Sequence, residues 1–249
     1  MIILKSPHEI ALMRQAGRIV AVVLAELKER VRPGLTTAEL DRLAEKIIRQ
    51  HGAVPTFKGY RGFPASITTS INEELVHGIP SRKRRLKEGD ILSIDCGATY
   101  KGWVGDAAIT VPVGAISAEA QKLLAVTEQA LYEGIKEAKV GNRSGDVSAA
   151  IQRYVEKHNY GVVREYTGHG VGRAMHEDPQ VPNFGKPHRG IPLRNGMTIA
   201  LEPMVNMGTP KTRVLRDKWT VVTADGQLSA HFEHTIAVMD GEAQILTCL

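Results

Sequence analysis

The feature that most constrains this chain is its similarity to itself. Displacing the sequence by 107 residues sets Gly34 on Gly141, Thr37 on Ser144, Glu39 on Asp146, Leu40 on Val147, Ile48 on Val155 and His51 on His158. The same displacement holds fifty residues later, where Gly89 to Asp95 falls on Gly196 to Glu202. A third match, Asp106 to Val111 beside Glu233 to Val238, needs 20 extra residues in the later half. A repeat is weighed before any fold assignment because it dictates the architecture. Two amphipathic helices resemble one another by chance, but an acid landing on an acid twice is a stronger signal. The expectation is one domain, 1–249, made of two related halves of about 1–115 and 116–249 around a pseudo-twofold axis.

Local signals fill in the elements. Ser6-Pro7-His8-Glu9 is a capping box with proline at the first helical position, and Ile10, Met13, Gly17, Val20 and Leu24 follow at helical spacing, predicting a helix from Pro7 to about Arg30. Thr36 and Glu39 cap a second helix carrying Leu40, Leu43, Ala44, Ile47 and Ile48. Short runs punctuated by glycine then predict strands over 66–71, 91–95 and 102–113. Helices resume at about 117–138 and 145–158, and Gly-rich, strand-like segments complete the chain. The expected class is α+β, with strands gathered centrally and helices outside.

Composition removes several alternatives. With 43% hydrophobic residues over 249 positions the chain can bury a sizeable core, so disorder is out. The longest apolar stretch, Ile19 to Ala25, is far short of the roughly 20 residues that cross a bilayer. Met1 to Ser6 has no secretory pattern, and the chain holds only Cys96 and Cys248, so a cytoplasmic location is expected. A net charge of +5 leaves room for an anionic partner, with much of the excess in Arg82 to Lys87. For so short a run a solvated loop leading into a strand is the simpler reading.

The chemistry is carried by acids. If the strands holding Asp95 and Asp106 form a hairpin, their carboxylates share one sheet face, and Glu202 and Glu233 are the equivalents in the second half. Asp95 is expected at the end of its strand. One such acid is an ordinary turn former, whereas four at equivalent positions on apolar strands need cations between them. Among nine histidines, His169 stands out in Thr167-Gly168-His169-Gly170-Val171-Gly172, where glycines permit close approach. His176 follows in Met175-His176-Glu177-Asp178-Pro179, and His77 lies in Leu75-Val76-His77-Gly78-Ile79-Pro80. Carboxylates with one imidazole suit Mn, Fe, Co or Zn better than Ca or Mg. A pair of such ions would activate water against a carbonyl, which is hydrolysis.

With Asp95, Asp106, His169, Glu202 and Glu233 in that order, the whole chain resembles the type I methionine aminopeptidases. The most specific segments are Thr69 to Glu73 leading to Val76 to Pro80, Gly89-Asp90 to Asp95, Gly105-Asp106, Gly168 to Gly172, Glu202-Pro203 and Phe232 to Thr235. The resemblance implies the pseudo-twofold pita-bread fold and removal of the initiator methionine from nascent polypeptides whose second residue is small. It implies two divalent metal ions, with Asp95 on one, His169 and Glu202 on the other, and Asp106 and Glu233 bridging. It assigns His77 to the substrate amine, His176 to the scissile amide and Glu202 to proton transfer. It also places Tyr60, Phe63 and Trp219 in the methionine pocket with Phe57, His231 and Phe232 nearby, and Thr68 where many relatives have cysteine.

Only 26 positions separate His176 from Glu202, which leaves no room for the helical insertion of type II enzymes. The chain begins at the catalytic domain, so any docking is expected from that domain. A monomer without membrane attachment is expected, in transient contact with the ribosome through basic loops at Arg82 to Lys87 and Lys211 to Lys218. Two alternatives share the fold: a proline-directed (Xaa-Pro) aminopeptidase, which usually carries a large front domain, and a non-catalytic module that binds RNA or the ribosome, which typically lacks metal ligands.

Overall fold

The predicted helix starts are made by side chains that satisfy free backbone amides. The computed structural model describes residues 1–249. In α1 (Pro7–Arg30) the Glu9 carboxylate accepts from the Ser6 amide at 2.9 Å, and in α2 (Thr37–Gln50) Glu39 accepts from the Thr36 amide at 2.8 Å. Ser117 caps α3 (Ala118–Glu137) by accepting from the Ala120 amide, and Asp146 accepts from the Arg143 amide at the start of α4 (Ser144–Lys157). Glu39 and Asp146, which fall together in the internal alignment, thus do the same job.

Five strands lie between α2 and α3: β1 (Val54–Pro55), β2 (Ile67–Ile71), β3 (Glu74–Val76), β4 (Ile91–Tyr100) and β5 (Trp103–Pro112). After α4 come β6 (Gly161–Val162), β7 (Thr167–Gly170), β8 (Glu177–Pro182), β9 (Thr198–Leu201) and β10 (Met204–Asn206). The last five are β11 (Thr212–Val214), β12 (Val221–Thr223), β13 (Ser229–His231), β14 (Glu233–Ala237) and β15 (Gln244–Ile245). A central antiparallel sheet runs β1-β4-β5-β14-β9-β7-β8, with β2 also on β4 and β15 on β14. Two small sheets, β13-β10-β6 and β11-β12-β3, complete the fold.

The helices cover the sheet's apolar side. Val20, Val23 and Leu24 of α1 and Leu40 and Ile48 of α2 pack on Leu92, Ile94 and Val111. Leu123, Leu131, Val147, Ile151 and Val155 of α3 and α4 pack on Ile199, Leu201 and Ile236. Each fully buried side chain of this size contributes roughly 1.5–3 kcal/mol. At one point α1 touches β5 backbone to backbone: a Cβ on Gly105 would stand 2.5 Å from the Gly17 nitrogen. The contact lies one residue before Asp106.

At the middle of the sheet β5 and β14 pair only through Glu233 with Ala108 and His234 with Ala107. On either side a threonine hydroxyl takes over. Thr235 Oγ1 accepts from the Asp106 amide at 3.1 Å and donates to the Asp106 carbonyl at 2.7 Å. Thr110 Oγ1 accepts from the His231 amide at 2.9 Å and donates to the His231 carbonyl at 2.8 Å. The expectation that Asp95 ends its strand is corrected. β4 continues to Tyr100 because β5 pairs with its full length and β1 holds Ala98 and Thr99 on the other side.

Candidate metal centre and its pocket

Sheet register brings the acids together. Across one row, Thr68 of β2 faces Asp95, Asp95 faces Ala108, and Ala108 faces Glu233. Asp106 sits opposite Gly97, two positions along β4 from Asp95 and therefore on the same face. A Cβ at Gly97 would come within 2.7 Å of Phe57 Cε1, so the missing side chain makes space for that ring. His169 of β7 pairs with Ala200, two residues before Glu202, and is delivered to the same face.

The five ligand-type residues all line one cavity that is partly open to solvent. Asp106, His169 and Glu233 each offer a ligand atom within 4.8 Å of the others. His169 Nε2 lies 3.5 Å from Glu202 Oε1 and 3.7 Å from Asp106 Oδ2. Its Nδ1 is 2.8 Å from the Gly170 carbonyl, which can only accept, so the proton sits on Nδ1 and the Nε2 lone pair faces the acids.

No lysine or arginine neutralises this cluster; the ion-pair partners within reach are histidines. Burial, and then the neighbouring carboxylate of Asp106, holds Asp95 well above the usual range. Burial pushes Asp106 up to about 7 and raises Glu202 and Glu233 well above their ordinary value, reinforced by Asp106 and the other acids. Burial lowers His169 and His77 to about 4 and His231 to about 3. Asp95 Oδ1, Asp106 Oδ1 and Glu233 Oε1 are buried without a hydrogen-bond partner. Such orphaned oxygens carry a heavy desolvation cost unless a cation sits among them, and the donor set fits divalent transition metals.

The cavity's other walls are Phe57, Tyr60, Phe63, Thr68, His77, Met175 and His176. The Tyr60 hydroxyl is 2.8 Å from His176 Nδ1, and the His176 ring lies 4.2 Å from that of His169. Met175 also lines the cavity, although nothing in its sequence setting separates it from a core methionine. Three residues expected in or near the pocket, Trp219, His231 and Phe232, are not part of the cavity lining. Trp219 backs the wall, edge-on to Phe63 at 5.1 Å and to His77 at 6.5 Å, and does not line the cavity. His231 is buried beneath the acids, its Nε2 3.8 Å from Glu202 and 3.9 Å from Glu233, with both ring nitrogens unpartnered. Phe232 joins the apolar cluster under α3, because alternation sends residues 231 and 233 to one face and 232 to the other.

Comparison with known proteins agrees with this geometry. A family model described as metallopeptidase family M24 matches residues 11–240. The methionine aminopeptidase of Clostridium acetobutylicum is 56% identical over 99% of both chains, and methionine aminopeptidase 1 of Bacillus subtilis is equally similar over the same share. The crystal structure of methionine aminopeptidase from Thermotoga maritima superposes with a TM-score of 0.99 at 47% identity, covering both chains fully. The prolidase of Pyrococcus horikoshii, at 24% identity and a TM-score of 0.80, shares the fold, and this chain covers 64% of it. The pita-bread architecture, the buried acids and near-complete alignment at more than half identity converge: the chain belongs to metallopeptidase family M24, within its methionine aminopeptidases.

Proposed function

We propose that this protein removes the initiator methionine from nascent polypeptides with a small second residue, working as one catalytic unit built from two related halves. The observation that carries this reading is a cavity whose lining joins Phe57, Tyr60, Phe63 and Met175 to five ligand-type side chains. Asp95 would hold one divalent ion, His169 and Glu202 a second, with Asp106 and Glu233 shared. Bound there, the ions supply Lewis acidity and make water nucleophilic at neutral pH.

The chain's own groups do the rest. The apolar wall takes the methionine side chain, and Thr68 sets part of its depth. Glu202 accepts the proton of the attacking water and returns it to the departing amine. His176 is neutral because burial lowers it, with Arg61 adding to the effect. The Tyr60 hydroxyl pairs with His176 Nδ1 at 2.8 Å, and the tautomer the reaction needs, with Tyr60 donating, leaves the proton on Nε2 for the scissile amide. His77, also neutral, accepts from the substrate's amine.

Cleavage of Met-Ala-Ser, abolished by chelation and restored by Mn, Fe, Co or Zn, tests the reading. Preference for Xaa-Pro peptides would overturn the substrate assignment, and metal-independent cleavage would overturn the mechanism. The setting we infer is a cytoplasmic monomer that visits the ribosome through its basic loops. Arg84 is paired with Glu74 at 2.6 Å, so the charges free for that contact are Arg82, Lys83, Arg85 and Lys87 with Lys211, Arg213, Arg216 and Lys218. Co-sedimentation with ribosomes should weaken with salt and on charge reversal at these positions; insensitivity to both would refute it.

A further inference from the structure

The segment between β7 and β8 carries Met175 and His176 to the cavity, and behind it lies a charged pair that the reaction does not use. Lys5 and Glu177 have side chains only 2% and 10% exposed. Lys5 Nζ donates to Glu177 Oε2 at 2.6 Å and to the Ile3 carbonyl at 2.9 Å. The other carboxylate oxygen, Oε1, accepts from the Arg173 amide at 2.8 Å and the Ala174 amide at 3.2 Å. The Lys5 amide is itself tied to the Gly196 carbonyl at 2.7 Å. Gly172 leaves room for the pair, since a Cβ there would stand 2.5 Å from Glu177 Oε1 and 2.7 Å from Lys5 Cε.

Burying two charges is a poor way to stabilise a fold, because desolvation offsets most of their attraction. What this pair adds is direction. One carboxylate joins the N-terminal segment, the turn at Arg173 and Ala174, and the residue bonded to His176. We propose that Lys5 and Glu177 are positioning residues for His176, fixing the imidazole against the scissile amide from behind. The proposal rests on the aminopeptidase reading of His176.

The test compares metal-loaded wild type with Lys5→Met and with Lys5→Met/Glu177→Gln, the latter leaving no unpaired charge and so protecting the fold. Both variants should lower kcat on Met-Ala-Ser by about tenfold or more while KM stays within about threefold, the pattern of a misplaced group. In a His176→Ala background Lys5→Met should cost less than about twofold further, because the two residues act as one. Amide exchange over residues 171–177 should be faster in both variants. Unchanged kcat in the double variant, or equal losses with and without His176, would overturn the proposal. Should wild type leave Met-Ala-Ser uncleaved, the aminopeptidase reading fails, and the exchange rates alone decide whether the pair anchors the segment.

Discussion

Replacing Thr235 by valine probes how the two central strands are joined. The substitution keeps shape and volume, so no cavity forms, and it removes one hydroxyl that accepts from the Asp106 amide and donates to its carbonyl. Both Asp106 and Thr235 are buried, at 2% and 0% exposure, so water cannot replace the lost partner. Stranding two buried backbone groups at about 1–3 kcal/mol each, less partial relaxation, gives an expected loss of about 2–4 kcal/mol. Thr235→Ser keeps the hydroxyl and removes a methyl, for about 1 kcal/mol. Urea unfolding of the chelated protein, followed by far-ultraviolet circular dichroism, should rank wild type above serine above valine. Metal affinity, measured by titration calorimetry, should follow the same order because Asp106 moves with its backbone. A valine variant within about 0.5 kcal/mol of wild type, or more stable than the serine variant, would refute the reasoning.

Three further outcomes are expected. Gly97→Ala should drive the Phe57 ring toward the cavity, given the 2.7 Å approach, and raise KM for methionyl peptides by about tenfold with less change in kcat, as steady-state kinetics would show. Tyr60→Phe removes the hydroxyl 2.8 Å from His176 Nδ1 and should lower kcat by about 2- to 12-fold, corresponding to about 0.5–1.5 kcal/mol; an unchanged kcat would remove Tyr60 from the mechanism. In the chelated protein Asp106 has a folded value of about 7 against an ordinary 3.8, so the folded state holds the extra proton and its stabilising contribution is lost as pH rises through about 7. The buried histidines, lowered in the fold, oppose this only below about 6.5. The urea midpoint of chelated protein should therefore fall as pH rises from about 6.5 through about 7 and recover on adding metal, and a midpoint that is flat or rising over that interval would contradict it.

What was legible in the sequence was whatever obeys a period or a local rule. Ser6 with Glu9 and Thr36 with Glu39 announce their helices because capping acts over three residues. The acids were legible because they break apolar strands at equivalent places. Contacts that depend on register were not. Nothing local says that Asp106 faces Gly97, that β4 runs on past Asp95, or that Trp219 stands behind Phe63. Met175 borders the cavity from a turn whose Arg173 and Ala174 amides donate to Glu177, a contact with no local sequence signature. The hydroxyl bridges of Thr110 and Thr235 are likewise invisible, since any buried strand threonine carries the same local pattern.

The contact of α1 with β5 at Gly17 and Gly105 has a mechanical consequence. Most helix–sheet contacts are cushioned by side chains that can change rotamer and absorb a small displacement. Here no side chain intervenes, so a shift of the helix is transmitted undamped to the strand one residue from Asp106. The spacing of the acids is thereby tied to the stiffness of a 24-residue helix on the far side of the sheet. Damage to that helix should surface first as a fault in metal spacing, in a molecule whose pocket lining is untouched.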